Sequence, residues 1–170
     1  MLNFAVGRFD SQGIEPRFAF GHGLSYSTFE YSNLKLDETY KPDEAAYQKT
    51  AEPFEDYKDG NSLYDIIATA SVDVTNTGKM VACEVAQLYV QYPDGHEQPP
   101  KQLRGFEKVK QLQPGETKTA YFPLRRKDLS VWSVERQLWM VPTGEFTMHV
   151  GASSRDLPLV SVRLPRLSDS

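Results

Sequence analysis

Cysteine is almost missing: Cys83 is the only one in 170 residues, which excludes an internal disulfide framework and any multi-cysteine zinc site. It sits in Met80-Val81-Ala82-Cys83-Glu84-Val85 with no electropositive neighbour beside it, so a buried small hydrophobe is expected rather than a reactive thiol. Histidine is scarce too. No two of His22, His96 and His149 stand at metal-ligand spacing, so neither a metal nor another cofactor is expected. Basic excess is also lacking, with Lys plus Arg at 19 against Asp plus Glu at 23 and a net charge of -4. There is therefore no electrostatic footprint for nucleic acid or an anionic membrane. No apolar run approaches the roughly 18 residues of a membrane span. The opening Met1-Leu2-Asn3-Phe4-Ala5-Val6-Gly7-Arg8 lacks the basic and apolar regions of an export signal.

What the chain does have is apolar content of 39% and 9 Phe, 9 Tyr and 2 Trp, too much for a disordered segment. The length suits one substantial domain, or one domain plus connecting segments. The dominant pattern is period-two alternation, the mark of strands with one face on a core. Ile66, Ala68, Ala70, Val72 and Val74 alternate with Ile67, Thr69, Ser71, Asp73 and Thr75 and run into the turn signal Asn76-Thr77-Gly78. Ala86, Leu88, Val90 and Tyr92 share a face of the next run, with Gln87, Tyr89 and Gln91 opposite, before Pro93-Asp94-Gly95. Further strands are expected over 103–112, closed by Pro114-Gly115, and over 117–124, with Ala120, Phe122 and Leu124 inward. Pro123 lacks an amide donor and marks an edge or a strand end. Phe146, Met148 and Val150 alternate next, then Val160, Val162 and Leu164. Six or seven short strands, with no useful helix-period segment between them, predict an all-β antiparallel sandwich. Residues 37–64 differ. They are charged, proline-punctuated and non-periodic, with Tyr40, Tyr47, Phe54, Tyr57 and Tyr64 among them. They read as a long loop, packed, mobile or in contact with a substrate or partner.

Candidate chemistry is thin. Gly21-His22-Gly23-Leu24-Ser25 superficially resembles a nucleophile elbow but lacks the glycine after serine and any strand-to-helix pattern. The two glycines also fail as a nucleotide fingerprint, because Phe18, Phe20, Tyr26 and Phe29 around them read as extended chain. Backbone freedom at a tight bend explains them better. Asp94 with Glu97, and Asp56 with Asp59, are close enough in sequence to be weighed as a glycosidase pair, but both lie in hydrophilic loops. Arg125-Arg126-Lys127 beside Asp128 reads as a solvated corner. Trp132 and Trp139 are expected in the core, with a sugar-stacking platform as the alternative. Gly105 and Gly151 are read as bulge or turn positions, and Tyr89 and Tyr92 as flanking a possible partner surface near 93–100. No catalytic, substrate-binding or metal residue is assigned.

Three stretches together resemble a known family. They are Glu15-Pro16-Arg17-Phe18-Ala19-Phe20-Gly21-His22-Gly23-Leu24-Ser25-Tyr26; Val72-Asp73-Val74-Thr75-Asn76-Thr77-Gly78 with Glu84-Val85-Ala86-Gln87-Leu88-Tyr89-Val90 and Lys101-Gln102-Leu103-Arg104-Gly105-Phe106; and Leu112-Gln113-Pro114-Gly115-Glu116 with Asp128-Leu129-Ser130-Val131-Trp132 and Gly151-Ala152-Ser153. In this order and spacing they are similar to the C-terminal fibronectin type III-like domain of family 3 glycoside hydrolases, above all fungal β-glucosidases. Ala82, where the family usually has glycine, and Ser133, where aspartate commonly follows the tryptophan, depart from the pattern. The resemblance implies a fibronectin type III-like (Ig-like) sandwich over 29–165 with 37–64 as an inserted loop. Residues 1–28 would be the tail and linker of a preceding α/β domain, and 166–170 a C-terminal tail. It implies a non-catalytic support module, a fragment of a secreted parent whose missing domains carry the nucleophile and the acid/base. That parent would release terminal β-D-glucosyl groups through a covalent glycosyl-enzyme. The module's partners would be the parent's catalytic domains, with possible oligosaccharide contact through 37–64. The alternative is a free-standing carbohydrate- or protein-binding sandwich.

Overall fold

The computed structural model describes residues 12–37, 63–93, 99–135, 137–142, 144–158 and 163–164. Chain order gives β1 (Phe29–Asp37), β2 (Ile66–Asn76), β3 (Ala82–Gln91), β4 (Gln102–Leu112) and β5 (Thr117–Arg125). A 3-10 helix (Arg126–Leu129) follows, then β6 (Val131–Ser133), β7 (Leu138–Met140), β8 (Phe146–Gly151) and β9 (Arg163–Leu164). Strands β1-β2-β5 form one antiparallel sheet, β4-β3-β8-β9 a second, and β6-β7 a separate ribbon.

Most of the alternating sets expected inside are found inside, although at the start of β2 it is Ile67 rather than Ile66 that packs against the core. Ala70, Val72 and Val74 of β2 and Ala120, Phe122 and Leu124 of β5 pack with Ala86, Leu88 and Val90 of β3 and Met148 and Val150 of β8 in one buried cluster. Two sheets sharing one apolar layer make a sandwich, and burying each such Val, Leu or Phe contributes about 1.5–3 kcal/mol before chain ordering is counted. Pro123 stands opposite Thr69 on β5, the edge strand of its sheet, where no outer neighbour requires its missing amide. Gly105 lies beside a register irregularity at Leu88/Tyr89 and close under the Phe122 ring.

Several expectations need correction. Cys83 is exposed, because it shares strand parity with the half-exposed Val85 while Ala86, Leu88 and Val90 take the inward face. Trp132 is 45% exposed rather than core. In the β6-β7 ribbon it is Val131, opposite Met140, that packs on the core. The register partners Trp132 and Trp139 meet edge-to-face at 5.7 Å and 68°, which braces a ribbon too small to stand alone. The basic cluster is packed, not a solvated corner: Arg125 pairs with Asp128 at 3.0 Å, and the Lys127 ammonium lies 5.2 Å from the Tyr64 ring and 5.6 Å from that of Trp139. Strand β1 breaks the alternation. Asn33 adopts φ 54 and the register shifts between Ser32 and Lys35, so Leu34 and Leu36 follow Tyr31 toward the core as expected across a bulge. Most of the 37–64 loop, the 94–98 stretch, Val160 and Val162 lie outside the described residues.

Candidate interdomain cleft

An outer sheet face normally meets water, yet Gln87 and Tyr89 on the outer face of β3 are both buried. The chain ahead of β1 covers them. Gly21, at φ 75, turns it across the sheet, and a Cβ there would stand 2.0 Å from the Gln87 side-chain oxygen. Gln87 Nε2 donates to the carbonyls of Gly21 (3.0 Å) and Ala152 (2.7 Å), while its Oε1 accepts from the Tyr89 hydroxyl at 2.7 Å. The Ser154 amide donates to Phe20 O at 2.9 Å. At the other end Ser27 Oγ donates to Asn76 Oδ1 at 2.6 Å, and the amides of Thr77 and Gly78 donate to Thr28 O. Gly151 serves close approach as well, its Cβ position falling 2.0 Å from Asp156 O.

Strapped at both ends, residues 20–29 bow away from β3 and leave an open cleft of about 760 Å³. Its walls are mainly apolar, with Leu24, Val85, Leu103 and Phe106 among them. Leu24 and Tyr26 are 95% and 96% exposed and Phe106 71%, an unusual concentration of uncovered apolar surface. Its polar lining includes Tyr31, Glu84 and Asp156. Tyr31 donates its hydroxyl proton to Glu84 Oε1 at 2.7 Å. Burial pushes the Glu84 carboxyl above its ordinary range, with neighbouring Asp156 adding to the shift against the Tyr31 hydrogen bond. Burial and Glu84 together hold the Tyr31 phenol far above its usual value.

Sequence candidates for catalysis do not converge here. His22 is exposed and stacked on Phe18 at 5.7 Å. His149 sits 3.4 Å from Gln91 Oε1, its pKa lowered by burial and then by Lys101. Among the described residues, Ser25 Oγ accepts only the Ser27 amide at 3.2 Å, and no nucleophile elbow is built from them. His96, Asp94, Glu97, Asp56 and Asp59 lie outside the described residues. Among the described residues, no three His, Cys, Asp or Glu cluster as a metal site. Tyr89 and Tyr92 are both buried, and residues 94–98 of the possible partner surface they flank lie outside the described residues. Tyr92 donates to Asp128 O at 2.7 Å and accepts from Arg104 Nε at 2.9 Å. Sequence reasoning missed Glu84 and Gln87, whose partners lie 53 and 66 residues away.

Residues 84–154 match the family model of the fibronectin type III-like domain. Beta-glucosidase cel3A of Pyricularia oryzae is 49% identical over 154 residues, covering 89% of this chain and 20% of that protein. Probable beta-glucosidase M of Aspergillus oryzae is 49% identical over 157 residues, covering 89% and 19%. Among solved structures, Beta-D-glucoside glucohydrolase from Trichoderma reesei superposes with a TM-score of 0.78 at 44% identity, covering 93% of this chain and 21% of that one. A Glycoside Hydrolase Family 3 beta-glucosidase from Neurospora crassa gives 0.76 at 26% identity, covering 94% and 27%. The chain thus spans about one-fifth of the curated relatives it matches. With the sheet order above, these matches place a fibronectin type III-like domain at residues 84–154, in a chain similar over about nine-tenths of its length to one part of β-glucosidases.

Proposed function

We propose that the chain is a non-catalytic support module, packing against the catalytic domains of a secreted β-glucosidase whose full length it does not span. The observation that carries this is the uncovered apolar strip of residues 14–26, where Ile14, Phe18, Phe20, Leu24 and Tyr26 are all exposed beside the cleft. A freely soluble domain rarely leaves so much apolar side chain uncovered in one place, whereas an interdomain face does so once its partner is removed. In this reading residues 1–28 are the tail and linker of a preceding α/β domain, 29–165 the sandwich and 166–170 a tail. The parent hydrolyses terminal β-D-glucosyl groups, and the 37–64 loop contacts its oligosaccharide.

The test exchanges this chain for the matching fifth of the Pyricularia relative and compares that chimera with a version lacking the segment. Support predicts that the chimera keeps glucoside hydrolysis and outlasts the deletion on heating; equal lifetimes overturn it. Removing 37–64 from the chimera is expected to alter substrate preference or stability, and no change in either refutes the loop contact. A second reading, a free-standing carbohydrate-binding module, is favoured by the exposed Trp132 against Trp139. It requires saturable quenching of tryptophan fluorescence by cellohexaose that is lost in Trp132→Ala.

A further inference from the structure

We propose that the cleft between residues 20–29 and β3 is the seat of a basic-apolar segment: an arginine or lysine facing Glu84 and Asp156, flanked by apolar side chains that cover Val85, Leu103 and Phe106. The proposal rests on the support-module reading and states what the catalytic portion brings to the contact. The cleft's lining joins apolar side chains with two carboxylates, Glu84 bonded to the Tyr31 hydroxyl and Asp156 near enough to act on both. Among the described residues, none that lines the cleft is a lysine, arginine or histidine. Among the described residues, neither Glu84 nor Asp156 is in an ion pair, although Lys108 stands opposite Val85 in the sheet register.

Charge chooses the occupant. A purely apolar cover would finish the desolvation that already raises the Glu84 pKa and leave a buried carboxylate without a counter-charge, a costly arrangement. A second copy of this chain docking symmetrically would bring four carboxylates together, since a two-fold contact juxtaposes the same patch from both copies. A cation placed between the two carboxylates relieves their repulsion, and apolar neighbours on its segment fill the remaining wall. Arginine suits the position well, because its planar fork can engage both groups.

Glu84→Gln keeps an acceptor for the Tyr31 hydroxyl and removes only the charge, so it separates the two contexts. In the isolated chain at neutral pH, the variant is expected to unfold at the same or a higher temperature. In the Pyricularia chimera, the same change is expected to speed heat inactivation by about tenfold or more, since it leaves the buried incoming cation with Asp156 alone. Equal effects in both contexts, or none in the chimera, overturn the proposal. A deletion as long-lived as the chimera overturns the support reading instead. A second measurement needs no chimera: acetyl-Phe-Arg-Leu-amide titrated into the isolated chain should shift the amide resonances of 20–24 and 84–87. The glutamine analogue should bind about fivefold more weakly, and equal binding by the two peptides overturns the proposal.

Discussion

Replacing Asn76 by alanine should unpick the joint between the two sheets. Asn76 is fully buried at the end of β2, and all four of its side-chain hydrogen-bonding positions are used. Nδ2 donates to Met80 O at 2.8 Å and Leu112 O at 2.9 Å, while Oδ1 accepts from Ser27 Oγ at 2.6 Å and Gly78 N at 3.0 Å. One amide therefore holds the end of β4, the 77–81 turn and the strap leading into β1. The contact with Met80 O is only partly buried, so water largely replaces that bond on truncation. The Leu112 carbonyl lies in a buried contact, and stranding it costs about 1–3 kcal/mol beyond the roughly 1 kcal/mol of the bond itself. The expected loss is about 3 kcal/mol, or a midpoint lower by about 6–12 °C for a domain of this size. Urea unfolding of the isolated chain measures it, with Thr75→Val as control. That variant loses only the exposed hydroxyl contact to Thr117 at 2.7 Å and should stay within about 0.5 kcal/mol of the parent chain. An Asn76→Ala variant within 1 kcal/mol of the parent at unchanged m would refute the account.

Three further perturbations test other parts of the structure. The folded Glu84 carboxyl titrates above its ordinary value of 4.5, so the native state binds more protons there and stability falls as pH rises from that value through the raised one. Asp73 is held below 3.8, first by the Thr119 hydroxyl and then by Asn33, and contributes stability that is lost as pH falls below that value. Urea midpoints from pH 3 to 8 should therefore decline less in Glu84→Gln than in the parent on the way up from pH 4.5, and parallel curves would contradict the assignment. Trp132→Ala removes the edge-to-face pair with Trp139 and should cost about 0.5–1.5 kcal/mol. The near-ultraviolet circular dichroism of the coupled indoles should disappear with it, and an unchanged spectrum would show that the pair does not persist in solution. Gly21→Ala combines a left-handed backbone with a collision against Gln87. Hydrogen exchange should quicken at Gln87, Ser154 and Thr77 while Leu88 and Val150 stay protected; protection unchanged at all five would mean the strap does not depend on that bend.

The sandwich was legible because burial on one face of a strand writes itself into alternate residues. Ala120 to Leu124 and Phe146 to Val150 obey that rule without interruption, Ala68 to Val74 with Thr69 alone buried out of turn, and each lies in its expected layer. Where one residue is inserted the rule fails: β1 escaped notice because Asn33 puts two intervening residues between Tyr31 and Leu34. Cys83 was misjudged from its apolar neighbours although parity with Val85 already placed it outside. The tryptophans were misjudged for another reason. Their size predicts burial on average, but a two-stranded ribbon has only one covered face, and Val131 occupies it.

The cleft was illegible because its parts come from segments far apart in sequence: nothing local marks Gln87 as different from other polar residues on an outer face, and only its parity with the inward Ala86 and Leu88 sets Glu84 apart. One signal was available. Phe18, Phe20, Leu24 and Tyr26 keep a strand's two-residue period, but Gly21 and Gly23 interrupt the run and no strand forms over 18–28, so no sheet of the chain buries it. Apolar residues that no element of their own chain can cover need a cover from elsewhere. Here the structure supplies part of it through the β3 face and leaves Leu24 and Tyr26 almost wholly exposed. The same logic extends to charge, since Glu84 is already half-desolvated with Asp156 beside it. Whatever completes the apolar cover must bring a positive charge to those carboxylates, which makes the sign of its charge as firm an expectation as its apolarity.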